Sequence, residues 1–289
     1  MERRRLSRTE VISRSDALPA FPGIVCQILS TIEDDEANLA LLVEHIQHDP
    51  VTAARVLFLA NSAAMKARRT SFVRDLFTAT SIVGTSRLRE LALLGSIGSF
   101  FGHSSSSMPS TFWRHGISVG VCAQELVQTR GLRLMPGVAL IAGLLHDVGQ
   151  LWLQCFRADA FAAAMSGSRE HGISITEAEQ ECFGVDHAVI GGWLADHWML
   201  PGNVCRAIRL HHAPEQGLDE ALVPVVHIAE VLSNALDLSQ GSDNQVRSFS
   251  MAACDVLGLK WNAEVQGLFG RMEARSRHAA RCLQLLDLQ

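Results

Sequence analysis

Ala142-Gly143-Leu144-Leu145-His146-Asp147-Val148-Gly149 is the stretch on which the reading of this chain turns. Small and apolar residues flank an adjacent histidine and aspartate, an odd pair for a packed helix to carry. Two ionisable side chains in apolar company are costly unless they pair with each other, with neighbours or with a metal. Neighbours on a helix diverge by about 100°, so both can still reach one object lying over their shared edge. The pair is therefore either a hydrogen-bonded strut or half of a site, and the rest of the chain decides which.

Working outward, Pro136-Gly137 opens the helix that leads into the pair, and 112–127 forms the helix before it, ended by Gly131. Further helices are expected over 156–166, 176–183, 187–198, 204–211 and 224–238, with two more in the last 45 residues. Thr176 with Glu179 three positions on has the capping-box pattern, and Asp186 can cap the helix that begins at His187. On the N-terminal side, Leu18-Pro19-Ala20-Phe21-Pro22-Gly23 is an extended segment that docks its Leu and Phe. It hands over to short helices near 24–32, 39–48, 51–64, 76–83 and 87–94, the third capped by Asp49 and started by Pro50. His103-Ser-Ser-Ser-Ser-Met-Pro109 is the clearest linker.

No segment has strand period and no repeat is visible, so the class is all-α, as a two-lobed helical bundle. The expected organisation is a flexible basic tail at 1–17, an N-terminal lobe at 18–105, a second lobe at 106–240 and a C-terminal helical extension at 241–289.

Composition narrows the function classes. The chain has 289 residues and a mass of 31.5 kDa, with 48% hydrophobic and 19% charged residues, as in a globular protein. Its net charge of -5 and pI near 6.2 argue against nucleic acid as the main partner. Arg3, Arg4, Arg5 and Arg8 read as a solubilising tail rather than a phosphate-binding arm. The longest apolar candidate for a membrane span, 91–101, is diluted by Gly and Ser, and the start lacks the apolar core of a signal peptide, so no membrane partner and a cytoplasmic location are expected. Seven scattered cysteines with no C-x-x-C pair suit reduced, buried thiols.

The polar residues inside the apolar helices of the second lobe are His115, His146, Asp147, His187, His211, His212 and Glu230. Imidazole nitrogen and carboxylate oxygen are ligands of Zn, Fe and Mn, and facing helices of a bundle are a known way to assemble them. Each residue also has an ordinary reading. His115 could lie in a first turn or on the surface, and His187 in the first turn of its helix. His211-His212 is favoured at a helix C-terminus by the macrodipole alone. Glu230 could belong to a solvated face. Spacing alone leaves a metal site and these readings evenly balanced.

At these same residues the chain resembles a known family. Leu18-Pro19, Phe21-Pro22, His48-Asp49-Pro50 and Leu59-Ala60-Asn61-Ser62 resemble the first lobe of the HDOD (HD-related output) domain of bacterial signalling proteins. Trp113-Arg-His115, Gly143 to Gly149, Gly184-Val-Asp-His187, Trp198-x-Leu-Pro201 and His211-His212 are similar to its second, HD-like half. The resemblance covers about residues 18–238. It implies relatives among HD-type metal-dependent phosphohydrolases and cyclic-di-GMP phosphodiesterases. In those terms His115, His146 and Asp147 match the early metal ligands, His187, His211 and His212 the additional ones, and Glu230 a late Asp, one methylene longer here. The implied cofactor is one or two divalent transition ions, Fe, Mn or Zn, with Asp147 essential in any active form.

The chain departs from the enzymes at three places. Gln150 stands where many carry a lysine able to hold phosphate. Ala213-Pro-Glu-Gln-Gly217 replaces a Gly-Tyr-Pro loop in a chain without tyrosine. Glu230 replaces Asp. The resemblance with these departures implies a regulatory module that works through other signalling proteins without catalysis. The rival is a metal-dependent phosphohydrolase whose ligand is a nucleotide or cyclic dinucleotide.

Overall fold

Gly116 and Gly120, one helical turn apart, set the packing that positions the histidine-aspartate pair. A Cβ on Gly116 would lie 2.7 Å from the carbonyl oxygen of Leu144, and one on Gly120 2.6 Å from that of Leu140. From the other side, a Cβ on Gly143 would stand 2.7 Å from the Gly120 Cα. Only hydrogen fits there, so the two helices touch backbone to backbone. The computed structural model describes residues 5–15, 110–239, 249–260 and 263–284, with isolated positions 18, 60, 73, 78, 79, 82 and 84. The helices expected between 24 and 94, the linker at 103–109 and the boundary at 240–244 lie, isolated positions apart, outside the described residues.

Among the described residues the structure is helical, without strands. In chain order the elements are α1 (Arg8–Ser13), α2 (Ser110–Arg130), α3 (Pro136–Leu145), α4 (Val148–Phe156), α5 (Ala158–His171) and α6 (Ile175–Phe183). They continue as α7 (His187–His197), α8 (Gly202–Leu210), a 3-10 turn (Pro214–Gln216), α9 (Leu222–Ala235), α10 (Met251–Val256) and α11 (Ala263–Gln284). Helix α2 packs along α3 and α9, α4 on α7, α7 on α8, and α8 on α9 and α3. The chain divides into two compact units, one of Met1–Pro19 with Ser106–Arg281 and the other of Ala20–Ser105 with Cys282–Gln289. The first unit therefore includes most of the C-terminal extension.

Several expectations are corrected. The run Pro136–Phe156 has 21 residues and a mean hydropathy of 1.3, long and apolar enough to match a membrane span, although it was not the candidate picked from the sequence. It is 83% buried inside the protein and is broken at His146-Asp147 into α3 and α4, as suits core helices. Helix α4 itself was not anticipated; Val148, Gly149, Leu151, Trp152 and Leu153 form its buried face, but its 9 residues are too short a window for the period to be read.

The basic tail is not unstructured between residues 7 and 14. Ser7 accepts from the Glu10 amide and caps α1, whose Val11 is wholly buried. Leu6 donates its amide to Phe183 O at 2.9 Å, and Trp152 Nε1 donates to Val11 O at 3.1 Å. Leu6, Val11 and Leu18 join the core of Trp152, Phe161, Phe183, Ile190 and Leu194. Arginine density hid this, because two apolar side chains suffice to dock so short a helix.

The cap of α6 is shifted. Ser174, not Thr176, accepts from the amide three residues on, and Glu177 completes the capping box. Glu179 is thereby released to point inward. Cys122, Cys205 and Cys254 are buried as free thiols, whereas Cys155 and Cys182 are free but exposed.

Candidate metal centre

The helix break creates the centre. His146 ends α3 in helical geometry, and Asp147, with φ -96 and ψ 14, stands at the N-cap of α4. An aspartate there ordinarily caps its helix. This one makes no side-chain cap, so its carboxylate faces the histidines instead. Gly149 lets α4 approach α7 so closely that a Cβ would overlap His187 O and lie 2.9 Å from Gly191 N. That contact delivers His187, the first residue of α7, to Asp147.

Asp147 is the hub. Its Oδ2 lies 3.6 Å from His115 Nε2 and 3.3 Å from His146 Nε2, and its Oδ1 lies 3.2 Å from His187 Nε2 and 3.6 Å from His211 Nε2. His187 Nε2 and His212 Nε2 face each other at 3.0 Å. The seven residues singled out in the sequence form three overlapping sets: Asp147 with His187, His211 and His212; His115 and His146 with Asp147; and His146 and His211 with Glu230. Within each set the ligand atoms lie within 4.8 Å of one another. His146, Asp147, His187 and His211 are buried, while His115, His212 and Glu230 keep part of their exposure and line the open side.

The remaining ring nitrogens fix which atom each histidine presents. His146 Nδ1 donates to Gly143 O at 2.7 Å, and His211 Nδ1 donates to Ile208 O at 2.7 Å. In a neutral imidazole the other nitrogen then carries only a lone pair. Both Nε2 lone pairs point into the cluster, where the nearest carboxylate is a second acceptor. Among the described residues His146 Nε2, His211 Nε2 and Asp147 Oδ1 are indeed buried without a hydrogen-bond partner. Buried acceptors facing acceptors need a cation or protons between them. Two nitrogens bound at about 2.1 Å to one ion stand about 3.0 Å apart at octahedral angles and about 3.4 Å at tetrahedral ones, and His187 and His212 are spaced at 3.0 Å. The residues therefore fit a divalent transition ion.

The proton affinities agree. Burial disfavours the charged form of His146, but the adjacent Asp147 carboxylate overrides it and raises its pKa. His187 is buried as well, yet Glu179 and Asp147 hold its pKa well above the ordinary value. Burial and then the neighbouring His211 push His212 well below its usual value, and burial and His146 lower His115. Asp147 is buried too, but the surrounding histidines, His146 foremost, keep it ionised far into acid. The raised proton affinities of His146 and His187 mark the cluster as a place that favours positive charge.

Sequence reasoning missed Glu179 and His227. Glu179 is fully buried; its Oε2 accepts from His187 Nδ1 at 2.6 Å and from the His187 amide at 2.8 Å. A carboxylate behind a ligand histidine fixes the ring and strengthens its outer nitrogen as a donor to metal. The overlapping Ser174 and Thr176 capping patterns concealed it. His227, three residues before Glu230, donates from Nδ1 to His211 O at 2.7 Å, and only its burial inside α9 could have flagged it.

An all-helical unit gathering histidines around one aspartate at a helix break defines an HD-type domain. The sequence profile of the HDOD domain matches residues 18–214, and this chain belongs to that family. It is 26% identical to an HDOD domain protein of unknown function from Geobacter sulfurreducens, with a TM-score of 0.71 over 97% of this chain and 96% of the other. The fold is shared, at 24% identity and a TM-score of 0.68, with a protein from Shewanella amazonensis SB2B described provisionally as a phosphohydrolase, over 96% and 97% of the two chains. An uncharacterized protein of Treponema pallidum (strain Nichols) is 26% identical over 231 residues. That match covers 78% of this chain but only 44% of the relative's length.

Proposed function

We propose that this protein is a bacterial, cytoplasmic signalling module of HDOD type. Its HD-like centre holds one or two divalent transition ions, Fe, Mn or Zn, and acts through contacts with other signalling proteins rather than by turnover. The observation that carries the metal is the pair of buried Nε2 atoms, on His146 and His211, that have no hydrogen-bond partner among the described residues, beside an Asp147 Oδ1 that has none either. His187, His212, His115 and Glu230 supply the further ligands.

The regulatory reading draws support from what surrounds that centre. Gln150, one turn into α4, supplies no cation for a phosphate. After burial, the groups that act most strongly on the site residues are Glu179, for His187, and otherwise other site residues. A divalent ion alone supplies Lewis acidity, whereas phosphoryl chemistry also draws on positioned cations.

A second reading, a phosphohydrolase acting on a nucleotide or cyclic dinucleotide, is favoured by the part-exposed His115, His212 and Glu230, which leave the centre reachable. One experiment separates the two. Bound metal is measured per chain after purification without chelators, and bis(p-nitrophenyl) phosphate and cyclic-di-GMP are then assayed with added Mn or Fe. Metal that is lost in Asp147→Ala, without turnover by the wild type, is expected. Turnover that disappears in Asp147→Ala would install the second reading, and a metal-free protein under every loading condition would remove the first.

A further inference from the structure

Behind the ligand His211 stands a second histidine that no metal set includes. His227 is 1% exposed and has both ring nitrogens engaged by backbone. The Ser250 amide donates to its Nε2 at 3.2 Å, which fixes Nε2 as the acceptor; Nδ1 is then the donor to His211 O at 2.7 Å. Ser250 is also the N-cap of α10, accepting from the Ala253 amide at 3.1 Å, and it bonds the Glu215 side chain on the 3-10 turn that follows the double histidine. A single imidazole thus joins the main chain of a candidate ligand to the start of the C-terminal helices.

Those helices hold the centre from the opposite side as well. The buried Glu125 on α2, the helix that carries His115, accepts from Arg271 Nε at 3.2 Å and from Arg275. Ser118 and Ser276 share a hydrogen bond at 3.0 Å. The C-terminal helices are therefore fastened both to the helix that carries the first ligand and to the residue behind a late one.

We infer that His227 is a positioning residue that fixes the His211 ligand from behind and ties it to the Ser250 cap of α10, so that filling the centre with metal tightens the C-terminal helices. This rests on the metal reading proposed above. An ion that draws in the His211 ring restrains its backbone carbonyl, and the carbonyl restrains His227 and through it Ser250. A histidine that merely satisfied buried polar groups would transmit nothing of the kind.

The two arms of the ring can be cut separately. Asparagine places its amide near the Nδ1 position and keeps the bond to His211 O; glutamine places it near Nε2 and keeps the bond to Ser250; phenylalanine fills the volume and keeps neither. Wild type, His227→Asn, His227→Gln and His227→Phe are loaded with Mn²⁺ or stripped with EDTA. Bound metal is measured, and amide hydrogen exchange is followed across 249–260. In the wild type Mn²⁺ is expected to slow that exchange, and in His227→Asn metal is expected to bind without slowing it. His227→Phe, and His227→Gln to a lesser degree, should lose about 10- to 100-fold in Mn²⁺ affinity, the usual cost of losing a group behind a ligand. Slowing that persists in His227→Asn, or wild type that binds Mn²⁺ with no slowing, overturns the inference and leaves the metal reading intact. A wild type that binds no metal removes both.

Discussion

Glu179 Oε2 lies 2.8 Å from the backbone nitrogen of His187 and 2.6 Å from its Nδ1, so one buried carboxylate sets both where this ligand sits and which nitrogen it presents. Its other oxygen has no hydrogen-bond partner among the described residues. Replacing Glu179 by Gln keeps an acceptor for the ring and removes the charge; Leu removes both. Metal affinity, measured by competition with a chelator, should fall about 10-fold in Glu179→Gln and about 100-fold in Glu179→Leu. Unfolding by urea should show Glu179→Leu to be about 3 kcal/mol less stable, because a buried charged partner is lost. Wild-type affinity in both variants would mean that the ring needs no such hold.

Gly149 sets the approach of α4 to α7, and an added methyl would overlap His187 O. Gly149→Ala should cost about 1–3 kcal/mol as overpacking and weaken metal binding by moving His187 from Asp147. Gly167, inside α5, is the control, since a Cβ there meets only His171 Nδ1 at 3.9 Å. Gly167→Ala should gain about 0.5–1 kcal/mol through helix propensity and leave metal binding alone. Equal effects of the two substitutions would break the link between this contact and the site.

The metal-free protein should respond to pH through the raised His146 and His187. A folded pKa above the unfolded value of about 6.5 gives stability that is complete below that value and is lost as pH rises through the folded pKa. His115 and His212, shifted downward, act oppositely and cost stability as pH falls below about 6.5. Metal competes with protons for these two rings, so affinity should rise with pH and binding should release protons. Calorimetry in two buffers of different ionisation enthalpy reads that release directly. Identical heats in both buffers would place neutral imidazoles in the metal-free centre.

Val11 and Trp152 make α1 part of the core. Val11→Ala should lower stability by about 1–3 kcal/mol, and removal of residues 1–13 by more, since Leu6 and the acceptor for Trp152 Nε1 go with it. Thermal unfolding of both proteins checks this. A tail that only solubilises would tolerate either change.

Signals carried within one turn were legible. Pro136 at the start of α3, Asp186 accepting from the Val189 amide, and the unusual His146-Asp147 pair can all be read from neighbours, because the physics of caps and breaks is local. The all-helical class and the seven residues that the structure gathers were legible too, the residues as polar groups in apolar helical stretches, although His227 in the same kind of stretch was passed over. Helix α4 was not legible, because its 9 residues are too short a window for a helical period to show. Helix α1 was hidden by its arginines.

The amino-acid sequence by itself determined an all-α chain of the HDOD family and the residue types able to meet at its centre. Only the tertiary structure decided how they meet. Ser174-x-x-Glu177 and Thr176-x-x-Glu179 are equally good capping boxes along the chain, and nothing local chooses between them. The choice is made by His187, which offers a ring N–H and an amide to whichever glutamate turns inward, and Glu179 turns inward. Likewise, the nitrogen each histidine presents depends on a carbonyl oxygen, Gly143 O for His146 and Ile208 O for His211, and on the hydrogen-only contact at Gly149 that brings α7 to Asp147. Backbone acceptors and close approaches belong to the folded molecule, because every residue carries the same carbonyl and only packing says which one a side chain will find.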